Sequence, residues 1–323
     1  MPPAYLQATL QALVQVRNKA PAKVNPNPQQ RPPTIAESAA QRWERIAPLD
    51  APWLHSEVGQ RMAQRLDIIK KAPAAWAHWA AGRGGLDAHR QISLKYPKSK
   101  VFLPDVSVNR SYSAMQNIVP KWWHPARLTA PAALAQSPAD GQVNMVWANM
   151  LLHTSADPQA LIAQWHRALA VDGFVMFSCL GPDTCMELRS LYETLGFAPP
   201  THTYTDMHDW GDMLVQAGFA EPVMDIERIR LTFASPARLL EELRGLGRNL
   251  HPARHAGLRT PAWRRALEIS MLQHMQTSDG QLGLTFEVIY GHAFKPAPRI
   301  KLSEHSAVSL SDMRAMLAQA KKG

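Results

Sequence analysis

The residues of this chain best suited to chemistry gather at predicted strand ends. Gly82-x-Gly84 follows the apolar stretch Ala75-Trp76-Ala77, and glycines in such a turn let backbone pass close to a ligand. Asp105 closes Lys100-Val101-Phe102-Leu103-Pro104. A carboxylate there can accept both hydroxyls of a ribose, or it can serve locally in an Asx-turn or helix cap. Asn149 ends the run Val143-Asn144-Met145-Val146-Trp147-Ala148, and His153 follows in a polar loop. Arg189 lies one turn into the helix expected after Phe177-Ser178-Cys179-Leu180. Its guanidinium fork suits a carboxylate ligand, and it suits a surface pair with Glu187 or Glu193 equally well. His202, Asp206, His208, Asp209 and Asp212 crowd together, but Asp206 reads better as the cap of a helix ending before Gly218. His208 and Asp212 alone are too few for a metal.

These residues need a frame. Residues 143–184 read as strand, polar loop, helix, strand. The apolar runs are short and β-rich, as in strands buried on both faces of a parallel sheet. Asp157 can cap the helix with Pro158 in its first turn, and Leu161, Ile162, Trp165 and Leu169 form its apolar face. Asp172-Gly173 should turn the chain into the next strand. In such crossovers ligands sit beyond the carboxyl ends of the strands, which places Asn149 at a cleft mouth. Upstream, residues 39–71 read as helical with a break at Pro48 and Pro52, and residues 88–96 as a crossover helix. Downstream, residues 222–233 and 284–294 read as strands. Between them Ser235-Pro236 and Thr260-Pro261 each start a helix. The frame is an α/β sandwich with a mostly parallel seven-stranded sheet, an antiparallel last strand and a helical insertion, about residues 235–278, before it. The expected domain spans residues 39–298. Residues 1–38, rich in Pro, Asn and Gln after a short amphipathic stretch, read as a flexible extension, and residues 299–323 as a tail with a short helix.

Composition narrows the classes. The 323 residues, 46% hydrophobic, suffice for a large core. No apolar run reaches the length of a membrane span. Only Cys179 and Cys185 occur, as expected in a reducing cytoplasm. The net charge of +9 suggests an acidic partner. No nucleic-acid motif accompanies the basic residues, so an acidic protein is the better expectation.

Val146-Trp147-Ala148-Asn149, Gly181-Pro182-Asp183-Thr184 with Glu187-Leu188-Arg189, Asp206-Met207-His208-Asp209 and Ala217-Gly218-Phe219 together resemble the malonyl-acyl-carrier-protein O-methyltransferases of biotin synthesis. These are class I methyltransferases dependent on S-adenosylmethionine, with a Rossmann-like fold. The resemblance runs from about Gln41 to Pro296 and is strongest from Val143 onward. It implies S-adenosylmethionine held by Gly82, Gly84, Asp105 and Asn149. It implies a malonyl carboxylate met by Asn149, His153 and Arg189, and an acyl carrier protein as partner. Arg244, Arg248, His251, Arg254, His255 and Arg259 are candidates to meet that carrier or its phosphopantetheine phosphate. Trp43-Glu44-Arg45-Ile46-Ala47 is similar to the start of the family's lid.

The chain departs from the family at its first strand. Aligning Asp-x-Gly-x-Gly-x-Gly gives His78, Ala80, Gly82 and Gly84. The lid tyrosine has no counterpart near Leu49-Asp50, and the acid after the third strand has none near residues 128–133. Trp76 and Trp79 either pack the core or place an indole in the cofactor pocket. Two other functions stay open: a catalytically inactive relative acting in binding or assembly, and an arginine hydroxylase similar to a respiratory complex I assembly factor.

Overall fold

The computed structural model describes residues 35–119, 123 and 132–297. The expected N-terminal extension up to residue 34, the tail from 298, Trp122, His124 and the stretch 128–131 lie outside them.

Two helices come first, α1 (Glu37–Ile46) and α2 (Trp53–Gln64), separated where Pro48 and Pro52 deny the backbone a donor. A 3-10 turn (Arg65–Ile68) leads to β1 (Ala75–His78), then a four-residue helical turn α3 (Ala81–Gly84) and α4 (Leu86–Lys95). Next are β2 (Lys100–Phe102), α5 (Val108–Ile118), β3 (Ala133–Leu134) and β4 (Val143–Ala148). A 3-10 turn (Leu152–Thr154) precedes α6 (Pro158–Ala168), β5 (Leu169–Leu180), α7 (Met186–Thr194) and α8 (Met207–Gln216). The chain closes with β6 (Ala220–Phe233), α9 (Pro236–Leu246), α10 (Pro261–His274) and β7 (Leu282–Phe294). The strand order is β3-β2-β1-β4-β5-β7-β6, with β7 antiparallel to both neighbours. The order reverses direction between β1 and β4, where ligands collect in open α/β sheets.

Local chemistry explains most boundaries. Asp157, Asp206, Ser235 and Thr260 each accept a backbone N–H at a helix start, three of them just ahead of a proline. The helix after β5 starts without a side-chain cap. Neither Asp183 nor Thr184 caps it: Asp183 accepts from Arg228, and the Thr184 hydroxyl pairs with the backbone of Glu287 on β7. Asp172-Gly173 differs from expectation. It does not precede β5 but lies within it, at a register shift against β4 that Asp172 absorbs with φ 59°. The core lies on both faces of the sheet, with Trp76, Trp147, Trp165 and Trp210 fully buried. No helix among the described residues is long and apolar enough to cross a membrane. Those residues hold no group of three metal-ligating side chains either.

Candidate active site

A cavity of about 510 Å³ opens beyond the carboxyl ends of β1, β2 and β4, a size typical of cofactor clefts. Trp79, Ala80 and Arg83 form its floor, Asp105 and Val106 one side, the loop from Met150 to Asp157 the other, and Trp43 and Glu44 of α1 its cover. Charges of both signs line it: the carboxylates of Glu44, Asp105 and Asp157 and the guanidiniums of Arg83 and Arg110. The Asp105 carboxylate accepts the Val106 N–H at 2.7 Å. Burial pushes its pKa up, against the pull of that N–H and of Arg110. Burial raises Glu44 in the same way, with Arg110 opposing. Arg110 donates to Ala47 O at 2.6 Å and so ties α5 to the cover. Arg83 donates to Asp50 O (3.2 Å) and to Leu246 O (3.0 Å), joining the cover to the end of α9. Its pKa falls to about 10, through burial first and then through Arg110 and Arg248. Carboxylates beside guanidiniums form a donor and acceptor set for a ligand with hydroxyls, an ammonium and a carboxylate. S-adenosylmethionine is such a ligand, so these residues fit it.

The turn below the cavity meets the family pattern in an unexpected way. His78 turns inward, fully buried. Its Nδ1 lies 3.1 Å from His89 Nδ1, the two rings stack, and Trp76 packs against both. Burial holds His78 well below the usual histidine range, with His89 adding to the shift, and burial drives His89 to about 3. Ala80, aligned with a glycine of the family pattern, has a left-handed backbone, φ 51°, a conformation that costs roughly 1–2 kcal/mol with a Cβ. Gly82 and Gly84 border no part of the larger cavity. A Cβ on Gly82 would stand 2.6 Å from Leu49 O, and one on Gly84 would stand 2.9 Å from His78 Nε2. Both glycines therefore serve contacts within the protein. Of the two tryptophans, Trp76 belongs to the core, and Trp79 lines the cavity, edge-on to Trp165.

Asn149 is buried and borders neither cavity. Its amide donates to His55 O at 2.6 Å and to Gly84 O, and its oxygen accepts the Ser178 hydroxyl at 2.6 Å. It thereby joins α2, the turn after β1 and β5 to the end of β4.

A second cavity, about 250 Å³, lies beside the first. Leu180, Leu188, Tyr192, Tyr204 and Phe286 make it apolar, His153 and His202 add polar edges, and Arg244, Arg248 and Asn249 line it from the insertion. Burial holds His153 well below the usual range, aided by His55, His202 and Arg83. Its Nδ1 accepts the Leu180 N–H at 3.4 Å, so the neutral ring carries its proton on Nε2. His202 donates from Nε2 to His153 O at 2.8 Å, and burial lowers its pKa to about 4. Arg189 lines neither cavity. It donates to Pro182 O and sits behind Cys185 and Tyr204, which do line the second one. Its expected partner Glu187 binds Thr285 instead.

The two cavities share His55, Met150, Thr154 and Leu246. Glu44 is legible in the sequence only as part of the lid-like segment, and nothing there marks His55, Arg83 or Thr154. None of them closes a strand, and their meeting depends on how α1, α2 and α9 fold over the sheet.

No family profile matches the chain. Curated relatives do. The malonyl-acyl-carrier-protein O-methyltransferase of Gallionella capsiferriformans is 38% identical over 255 residues, which cover 76% of this chain and 86% of the relative. That of Laribacter hongkongensis is 38% identical over 264 residues, covering 78% and 86%. Among solved structures, a putative methyltransferase from Bacillus halodurans aligns with a TM-score of 0.49 at 16% identity, over 74% of this chain and all of that one. On the strength of the sequence relatives, the chain belongs to the malonyl-acyl-carrier-protein O-methyltransferase family.

Proposed function

We propose that this protein methylates the free carboxylate of a malonyl thioester carried on an acyl carrier protein, using S-adenosylmethionine. The observation that carries the proposal is the pair of adjoining cavities, one with charges of both signs and one apolar with a basic edge, sharing only four residues. When bound, S-adenosylmethionine supplies a methyl group on a sulfonium.

Asp105 is the residue to hold ribose hydroxyls, and Arg83 or Arg110 the cofactor carboxylate. Trp79 and the Trp43 cover exclude water. A malonyl carboxylate is ionised at neutral pH and needs no general base, so the work left to the protein is orientation and neutralisation. His153 presents an Nε2–H to the acceptor cavity, and Arg244 and Arg248 offset the acceptor's charge. Arg189 acts from behind Tyr204 and orients this wall rather than touching substrate. Asn149 supports both cavities through His55 and Gly84. Arg254, His251, His255 and Arg259 extend the basic edge toward an acidic carrier, and the setting is the cytoplasm.

The test is transfer of labelled methyl to malonyl-acyl carrier protein, with free malonate as the control acceptor. Base-labile label on the carrier is the expected result, and absence of label with intact cofactor binding would overturn it. One observation favours a second reading, that of a non-catalytic relative. The acid expected at the end of β1 is His78, turned into the protein. Failure to bind cofactor at all would select that reading.

A further inference from the structure

The four residues shared by the two cavities include only two with polar side chains, His55 and Thr154, and both have already committed their protons. His55 Nδ1 lies 2.8 Å from the carbonyl oxygen of Arg83. A carbonyl only accepts, so Nδ1 carries the hydrogen, and Nε2 of the neutral ring carries a lone pair. Burial, with Arg83 nearby, keeps that ring neutral. The peptide oxygen of His55 accepts from Asn149, so backbone and ring of this residue each have a partner. Thr154 donates its hydroxyl hydrogen to Leu151 O at 2.9 Å, which leaves its oxygen as an acceptor. No described residue donates to either lone pair. The Met150 and Thr154 N–H groups and the Leu246 carbonyl are engaged too, by Ser178, Leu151 and Arg83.

The border therefore presents electron pairs and no proton. A carboxylate or a thioether sulfur gains nothing from such a border. A group with polarised hydrogens and positive charge gains at both atoms. We infer that His55 and Thr154 form an electron-pair collar that selects a cationic, hydrogen-bearing centre over a neutral thioether at the border of the two cavities. The inference rests on the proposed cofactor chemistry and deepens it. The charged donor is held at the border, and the uncharged product, which has lost both the methyl group and the charge, is held less well. His55 and Thr154 are thus specificity-determining residues for donor against product.

The test is a binding measurement on the full chain without acceptor. Three ligands differ only at the centre in question: S-adenosylmethionine (a sulfonium methyl), sinefungin (an ammonium) and S-adenosylhomocysteine (a bare thioether). Calorimetry should show the two cations binding roughly tenfold more tightly than the thioether. Thr154→Val and His55→Phe should each reduce that preference severalfold while leaving thioether affinity within about twofold, which doubles as the control for folding. Thr154→Ser, and His55→Gln with its amide N–H on Arg83 O, should restore it. Equal affinity for all three ligands in the wild type would overturn the collar and leave the cofactor assignment standing. So would an unchanged preference in both Thr154→Val and His55→Phe. If none of the three binds, the cofactor assignment falls and the collar falls with it.

Discussion

The turn after β1 and the loop after β4 lie side by side at the same end of the sheet, and they use polar side chains in opposite ways. After β4, Asn149 spends its hydrogen bonds on three other segments, and Ser178 closes the net by accepting the Met150 N–H. After β1, His78 and His89 bring four ring nitrogens into a dry space, and Nε2 of each has no partner. One site is satisfied and the other is not. The satisfied one ties α2, the turn after β1 and β5 together behind the two cavities. The unsatisfied one occupies the space where the family's turn carries an acid. The charged groups facing the cofactor cavity come instead from several segments: Glu44 on α1, Arg83 in the turn itself, Asp105 after β2, Arg110 on α5 and Asp157 ahead of α6. A cofactor site can thus lose its signature and keep a charge pattern, provided the surrounding segments supply it.

The sharpest way to break the contrast is Asn149→Leu. It would take the amide donor from two carbonyls and the acceptor from the Ser178 hydroxyl, which keeps only the Met150 N–H; at roughly 1–1.5 kcal/mol for each lost hydrogen bond, chemical denaturation should show a loss of about 3–4 kcal/mol. A loss under about 1 kcal/mol would mean that water replaces the amide.

Acid comes second. His55 and His89 sit at about 3 and His202 at about 4, each lowered chiefly by burial from 6.5. Between those values and 6.5 the unfolded chain binds more protons than the folded one, so stability falls as pH drops through this window. From pH 6.5 to 5.5 each ring should remove about 1 kcal/mol, about 3 kcal/mol for the three together. His78 and His153 shift in the same direction and add to the slope. Urea midpoints measured at several pH values read this directly, and a flat profile down to pH 5 would contradict the burial of these rings.

Third, Gly84→Ala should cost roughly 1–3 kcal/mol by pressing on His78. If the glycine serves that ring, His78→Ala should relieve much of the cost in a double-mutant cycle, whereas additive losses would point to another cause.

The smallest effect sharpens the charge argument. Asp105→Asn should leave stability within about 0.5 kcal/mol and weaken cofactor binding about tenfold, read by calorimetry.

Much of the frame was legible in the sequence. Cap-plus-proline pairs at Asp157, Ser235 and Thr260 mark their helices because the chemistry of a helix start is local. Asp105 was legible as well, since a carboxylate closing a strand points to the cleft wherever the helices lie. Arg189 was not. Its long side chain could reach either way, and its backbone partner at Pro182 depends on the conformation of the loop after β5. Asn149 shows a subtler limit. Its place at the end of β4 was readable, but its use as a tie between α2 and Gly84 arises only from contacts 94 and 65 residues away in sequence. His55 and Thr154 carried no signal at all, because what distinguishes them is which proton each has already given away.

The most direct test that Asp105 and the charges around it hold the cofactor in place of an acid at the end of β1 is calorimetric titration of S-adenosylmethionine into the wild type, Asp105→Asn and His78→Asn side by side. The account predicts one-site binding to the wild type, weakening about tenfold in Asp105→Asn and little in His78→Asn. No binding to the wild type at millimolar ligand, or a loss confined to His78→Asn, would contradict it.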